Sequence, residues 1–119
     1  MLGSEGDDLC RALGGNDDVE GAGGDHALYG GAGDDRVFGR FGQDVMVGED
    51  GDDALEGGHG SDLLQGGAGK DRLVGGYDRD RLVGGPGDDV LRPGFGERGE
   101  VVDCGSGFDA ADLGPGDRA

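Results

Sequence analysis

A single nine-residue frame runs through residues 3–92 without insertion or deletion, giving ten consecutive repeats. Its clearest copies are GGAGDDRVF (residues 30–38), GGHGSDLLQ (57–65) and GGAGKDRLV (66–74). Position one is Gly in nine of ten repeats, and position four is Gly in nine of ten, with Asp78 the exception. Position six is Asp8, Asp17, Asp35, Asp44, Asp53, Asp62, Asp71, Asp80 and Asp89, with His26 in the third repeat. Position eight is apolar throughout: Cys10, Val19, Leu28, Val37, Met46, Leu55, Leu64, Leu73, Leu82 and Leu91.

A period of nine matches neither an α-helix nor a heptad, and glycine costs about 1 kcal/mol relative to alanine inside a helix. Turns and short strands remain. The first six residues suit a tight turn whose glycines accept positive φ, and the last three suit a strand with position eight facing inward. Two repeats then complete one coil, so the expected fold is all-β, a solenoid of stacked coils.

Composition alone would also allow a solvated tail: 33% of the residues are hydrophobic, 32 are Gly, and there is no Trp. A tail has no reason to hold one register across ten repeats. The 27 acidic and 10 basic residues give a net charge of −17. That charge repels a compact state and excludes nucleic acid as a partner, because phosphate binding relies on basic patches.

The repeat resembles the RTX, or haemolysin-type, calcium-binding nonapeptide G-G-x-G-x-D-x-U-x, over all of residues 3–92. The resemblance implies a right-handed parallel β-roll with Ca²⁺ held in the turns between successive coils. Ca²⁺ takes six to eight oxygen ligands in a tolerant geometry. With two repeats per coil, the turns of repeats n and n+2 lie about 4.8 Å apart on one side, so two position-six carboxylates can share an ion, completed by backbone carbonyls.

Splitting the repeats by side gives two ladders. The first is Asp17, Asp35, Asp53, Asp71 and Asp89, unbroken. The second is Asp8, His26, Asp44, Asp62 and Asp80, interrupted by an imidazole and carrying Asp78 where a turn glycine belongs. The first is expected to bind calcium more tightly. Up to about eight ions would bring the net charge close to neutral, and the chain without calcium is expected to be largely disordered.

Residues 1–92 are expected to form the calcium roll and residues 93–119 a C-terminal cap. Past Arg92 the rigid frame puts Arg98 and Glu100 at the aspartate and apolar positions, so no calcium turn is expected there. Val101 and Val102 read as a strand, and Gly107 and Asp109 as positions four and six of a degenerate repeat. Cys10 and Cys104 would stand about five coils apart, roughly 25 Å, too far for a disulfide.

No zinc, Cys-x-x-Cys or nucleophile-elbow motif is present, and GGAGKD around Lys70 lacks the Ser or Thr and the first glycine of a phosphate loop. No catalytic role is expected. His59 and Tyr77 read as exposed turn residues, and no apolar run is long enough to span a membrane.

The expected function is a calcium-dependent folding module, extracellular, joined to or encoded with a larger exported protein. The alternatives are the non-catalytic repeat region of a secreted protease, lipase or polysaccharide-modifying enzyme, or an adhesive surface array. The N-terminus shows no signal peptide, which leaves open a fragment of an exported protein or a C-terminal export signal.

Overall fold

A computed structural model of the chain describes residues 6, 8–94, 101–107 and 110–111. It is all strand and turn, in two sheets. One holds β1 (Leu9–Arg11), β3 (Ala27–Tyr29), β5 (Val45–Val47), β7 (Leu63–Gln65), β9 (Arg81–Val83) and β11 (Val101–Asp103), adjacent in that order. The other holds β2 (Asp18–Ala22), β4 (Arg36–Phe41), β6 (Ala54–His59), β8 (Arg72–Gly76), β10 (Val90–Gly94) and β12 (Ala110–Ala111). Every pairing is parallel, and the chain crosses from one sheet to the other at each turn, which makes a β-solenoid of about five turns.

The register follows from the repeat. Cys10 pairs with Leu28, Leu28 with Met46, Met46 with Leu64 and Leu64 with Leu82. On the opposite sheet Val19 pairs with Val37, Val37 with Leu55, Leu55 with Leu73 and Leu73 with Leu91. Each step is eighteen residues, so the apolar stripe becomes two facing rows, all buried. One residue per repeat fills the interior because the sheets lie close together: the shortest dimension of the molecule is 13 Å.

Beyond Arg92 the offset changes. Val102 pairs with Leu82 and Ala111 with Leu91, twenty residues apart, so the eleventh repeat carries two extra residues. Val102 is buried at the position that the rigid frame assigns to Glu100. Arg98, Glu100 and Asp109, like the start of the frame at Gly3, lie outside the described residues. Gly107 has φ 116 and sits directly over Gly87, as position four should. Neither cysteine forms a disulfide; Cys10 lies in the core and Cys104 half-buried at its edge.

The glycines serve two purposes. At position four, and unexpectedly at position two, the backbone takes positive φ, for example 114° at Gly33 and 93° at Gly31. Position two does so even where the residue is Ala22, Arg40 or Glu49 (φ 77–91), a conformation that resists a side chain. Position one does not use positive φ. There a side chain is excluded by crowding: a Cβ on Gly39 would lie 2.5 Å from Asp44 Oδ2 and 2.7 Å from the Gly57 carbonyl oxygen.

The outer surfaces carry the variable positions. Phe41, His59 and Tyr77, each at position three and eighteen residues apart, stack with ring centroids 5.0 and 4.5 Å apart and planes within 5°. The reading of His59 and Tyr77 as plain turn residues thus omits their cross-coil packing.

Candidate metal centres

The position-six side chains point into the solenoid rather than out to water. Asp35, Asp44, Asp53, Asp62, Asp71, Asp80 and Asp89 are all buried, with 1–3% of their surface exposed. Asp8 and Asp17, the first rungs, are half-buried. Buried carboxylates require partners, and half of the requirement is met by the backbone.

Each carboxylate reaches one coil back. The Asp17 amide donates to Asp35 Oδ1 at 2.8 Å, Asp35 to Asp53 at 2.8 Å, Asp53 to Asp71 at 2.9 Å and Asp71 to Asp89 at 2.8 Å. The second ladder repeats this from His26 to Asp44 at 2.9 Å, Asp44 to Asp62 at 2.8 Å and Asp62 to Asp80 at 2.9 Å. The structure therefore groups the sequence-selected residues into the two ladders expected from an eighteen-residue coil.

The other oxygen has no such partner. Oδ2 of Asp35, Asp44, Asp53, Asp62 and Asp71 is buried and accepts no hydrogen bond. It faces the position-one glycine of its own repeat, beside the position-one carbonyl of the next coil. At Gly48, for instance, Asp53 Oδ2 and the Gly66 carbonyl oxygen lie 2.5 and 2.7 Å from where a Cβ would be. Two oxygens with no hydrogen between them make a cradle that lacks positive charge.

The electrostatics agree. Burial pushes the Asp62 and Asp71 carboxyls up to about 7 and Asp53 up to about 6, against the amide hydrogen bonds that favour ionisation. Repulsion from neighbouring carboxylates adds to the rise. Asp35 and Asp44 are raised as well, again chiefly by burial. The ladders are thus poorly suited to hold their own negative charge, which is the condition a cation would correct.

The donor set fits a hard cation. Among the described residues no three His, Cys, Asp or Glu side chains converge on one point, so carboxylates alone cannot complete a sphere. Carboxylate and carbonyl oxygens together suit Ca²⁺, whereas zinc would demand nitrogen or sulfur.

His26 departs from the scheme. It is buried, and its Nδ1 accepts from the Asp8 amide at 3.0 Å, so the neutral ring carries its proton on Nε2. Nε2 is buried without a partner, and the ring edge occupies the cradle beside Gly21. A nitrogen that must keep its proton cannot ligate, so this rung offers the cradle an N–H where the others offer an anion.

Position five forms a second, outer ladder that the sequence reading did not single out. Asn16 Oδ1 accepts from the Asp34 amide, Asp34 from Asp52 and Asp52 from Lys70, at 2.8–2.9 Å. On the other edge Asp25 accepts from Gln43 at 2.8 Å. These bonds run towards the next coil, opposite to those of position six. The signal available was an Asx residue recurring at position five with an eighteen-residue spacing.

Among known protein families, the RTX calcium-binding nonapeptide repeat matches the chain in four copies, at residues 1–25, 11–46, 29–64 and 65–97. No curated protein matches it. No helix of the described residues is long and apolar enough to cross a membrane.

Proposed function

This chain belongs to the RTX calcium-binding nonapeptide repeat family, and from that premise we propose that its roll takes Ca²⁺ along both edges and becomes ordered by doing so. Calcium binding in a repeat module is what family membership itself implies. The observation that carries the finer reading is the row of buried Oδ2 atoms at Asp35, Asp44, Asp53, Asp62 and Asp71 that accept no hydrogen bond.

The proposed ligands are Asp8, Asp17, Asp35, Asp44, Asp53, Asp62, Asp71, Asp80 and Asp89, aided by turn carbonyls. Up to about eight ions would lie between stacked rungs, fewer where His26 intervenes. When bound, the metal supplies the positive charge that buried carboxylates need. The chain's own part is to hold each carboxylate by an amide bond and to keep the cradle open with glycine. Without that charge a single row of core side chains per sheet is too little to hold a net −17 chain together, so binding and folding are linked.

Residues 1–92 would be the calcium roll and residues 93–119 its cap, with β11 and β12 closing the sheets. The setting that suits the module is extracellular, where calcium near millimolar fills weak sites, and its role is to stabilise or help export a larger protein to which it is joined. It needs no catalytic group of its own.

The test is far-UV circular dichroism in chelator followed by titration with Ca²⁺, with Mg²⁺ as control and calorimetry to count ions. A cooperative gain of β signal with Ca²⁺ alone is expected. A spectrum that is unchanged at millimolar Ca²⁺ would sink the reading.

A further inference from the structure

The two sheets share one backbone plan yet present different outer faces. Six of the ten outward side chains at positions seven and nine of β2, β4, β6, β8 and β10 are charged: Asp18, Glu20, Arg36, Glu56, Arg72 and Arg92. On the odd-strand sheet only three of twelve are charged, Arg11, Arg81 and Asp103. The others include Leu9, Tyr29, Val45, Leu63, Val83 and Val101, of which Leu9 is 70%, Val101 46% and Val45 39% exposed. Parallel sheets are ordinarily covered on both faces, and a flat apolar face on so acidic a chain calls for a cover.

We propose that this face is a self-association surface on which a second copy of the chain packs, about a two-fold axis parallel to the strands. Such an axis keeps strand direction and reverses strand order, so β1 lies over the partner's β11, β3 over β9 and β5 over β7. Leu9 then meets the partner's Val101, Tyr29 the partner's Val83, and Val45 the partner's Leu63. Arg11, the cation at one end of the face, meets the partner's Asp103, the only acid on it. The pairing is self-complementary, as an isologous contact requires.

In the single chain the Arg11 guanidinium lies 5.0 Å from the Tyr29 ring centroid, and Asp103 Oδ1 accepts from the Gly105 amide at 3.1 Å. Both groups keep valences for a partner. The face is about six strands by three residues, roughly 300 Å² against the ~800 Å² per side of a stable complex, so the dimer belongs to the weak, concentration-driven class. The proposal rests on the calcium reading only in that two copies of a −17 chain approach once bound cations lower their charge.

The experiment is sedimentation velocity of the calcium-loaded chain from about 10 μM to about 1 mM, with circular dichroism on the same samples. A reversible monomer–dimer shift is expected. Val45→Lys with Leu63→Lys, at the centre of the face, should weaken association at least about tenfold with the spectrum unchanged. Arg11→Glu should weaken it too, and Asp103→Arg in the same chain should restore it. An ordered chain that stays monomeric overturns the proposal and leaves calcium-linked folding intact. A dimer indifferent to the central lysines, or a charge reversal without rescue, also overturns it. A chain that dimerises through this face without calcium-driven ordering would instead uphold the dimer and remove the calcium premise.

Discussion

The two turn ladders have the same backbone and different chemistry. The first keeps an aspartate at every rung, and its outer position five reads Asn16, Asp34, Asp52, Lys70 and Asp88. The second has His26 as its second rung, and its position five changes from Asp25 to Gln43, Ser61 and Arg79. It also holds Asp78 at φ 71 where its neighbours are glycine. Negative charge is therefore dense along one edge and thinned along the other, although on both the position-six carboxylates accept an amide hydrogen bond from the coil before. Backbone geometry comes from the repeat, while the charge along each edge is set by what the repeat leaves variable.

The strongest way to break this contrast is to disable each ladder at its centre. Asp53→Asn keeps an oxygen for the Asp35 amide but puts an N–H₂ in the cradle, and it should raise the calcium concentration needed for folding at least about tenfold. Asp62→Asn, its counterpart on the edge interrupted by His26, should shift the midpoint less. Equal shifts in a calcium titration followed by circular dichroism would erase the distinction between the ladders.

Repair is the next test. His26→Asp gives the second ladder its missing carboxylate, and calorimetry should count at least one more bound ion, with a higher unfolding temperature in calcium. An unchanged count would mean that the imidazole is not what interrupts the ladder.

Acidity should treat the two edges alike. Asp53, Asp62 and Asp71 have raised values of about 6, 7 and 7 in the compact chain, against 3.8 for a free aspartate. Below the free value the carboxyls are neutral whether folded or not and cost nothing. As pH climbs from the free value to the raised values, the unfolded chain ionises while the folded one resists, and stability is lost until both are ionised. In chelator the chain should therefore show more β signal at pH 5.5 than at 7.5, and an opposite trend would contradict the buried-carboxylate picture.

The smallest effect belongs to Asp78→Gly. Glycine relieves the positive φ, which favours the variant by about 1 kcal/mol, but it removes the 2.9 Å bond from the Gly60 amide to Asp78 Oδ2. A net gain under about 1 kcal/mol is expected from thermal unfolding in calcium.

The sequence made the coil legible because its period is strict. Strand pairing, the facing rows of Leu28, Met46, Leu64 and Leu82, and the grouping of aspartates into ladders all follow from an offset of eighteen. Features that depend on position two were hidden, since Arg40 and Glu49 give no hint of positive φ. The stack of Phe41, His59 and Tyr77 and the position-five ladder were missed because they join residues one coil apart at places where a nine-residue comparison sees only variety. In the eleventh repeat a rigid frame misplaced the apolar site, since two residues added between Gly94 and Val101 leave the strands in step.

An offset of eighteen also sets which length changes the molecule tolerates. Removing residues 48–65 would take out one coil and rejoin every row to its own kind, giving a shorter roll with the same edges and faces. Removing only residues 48–56 would preserve every motif and still exchange parity downstream: the unbroken ladder would continue into the one interrupted by His26, and the apolar face would run into the charged one. For this protein the unit of insertion and deletion is the pair, and a single repeat, although complete as a motif, acts as a frameshift in three dimensions.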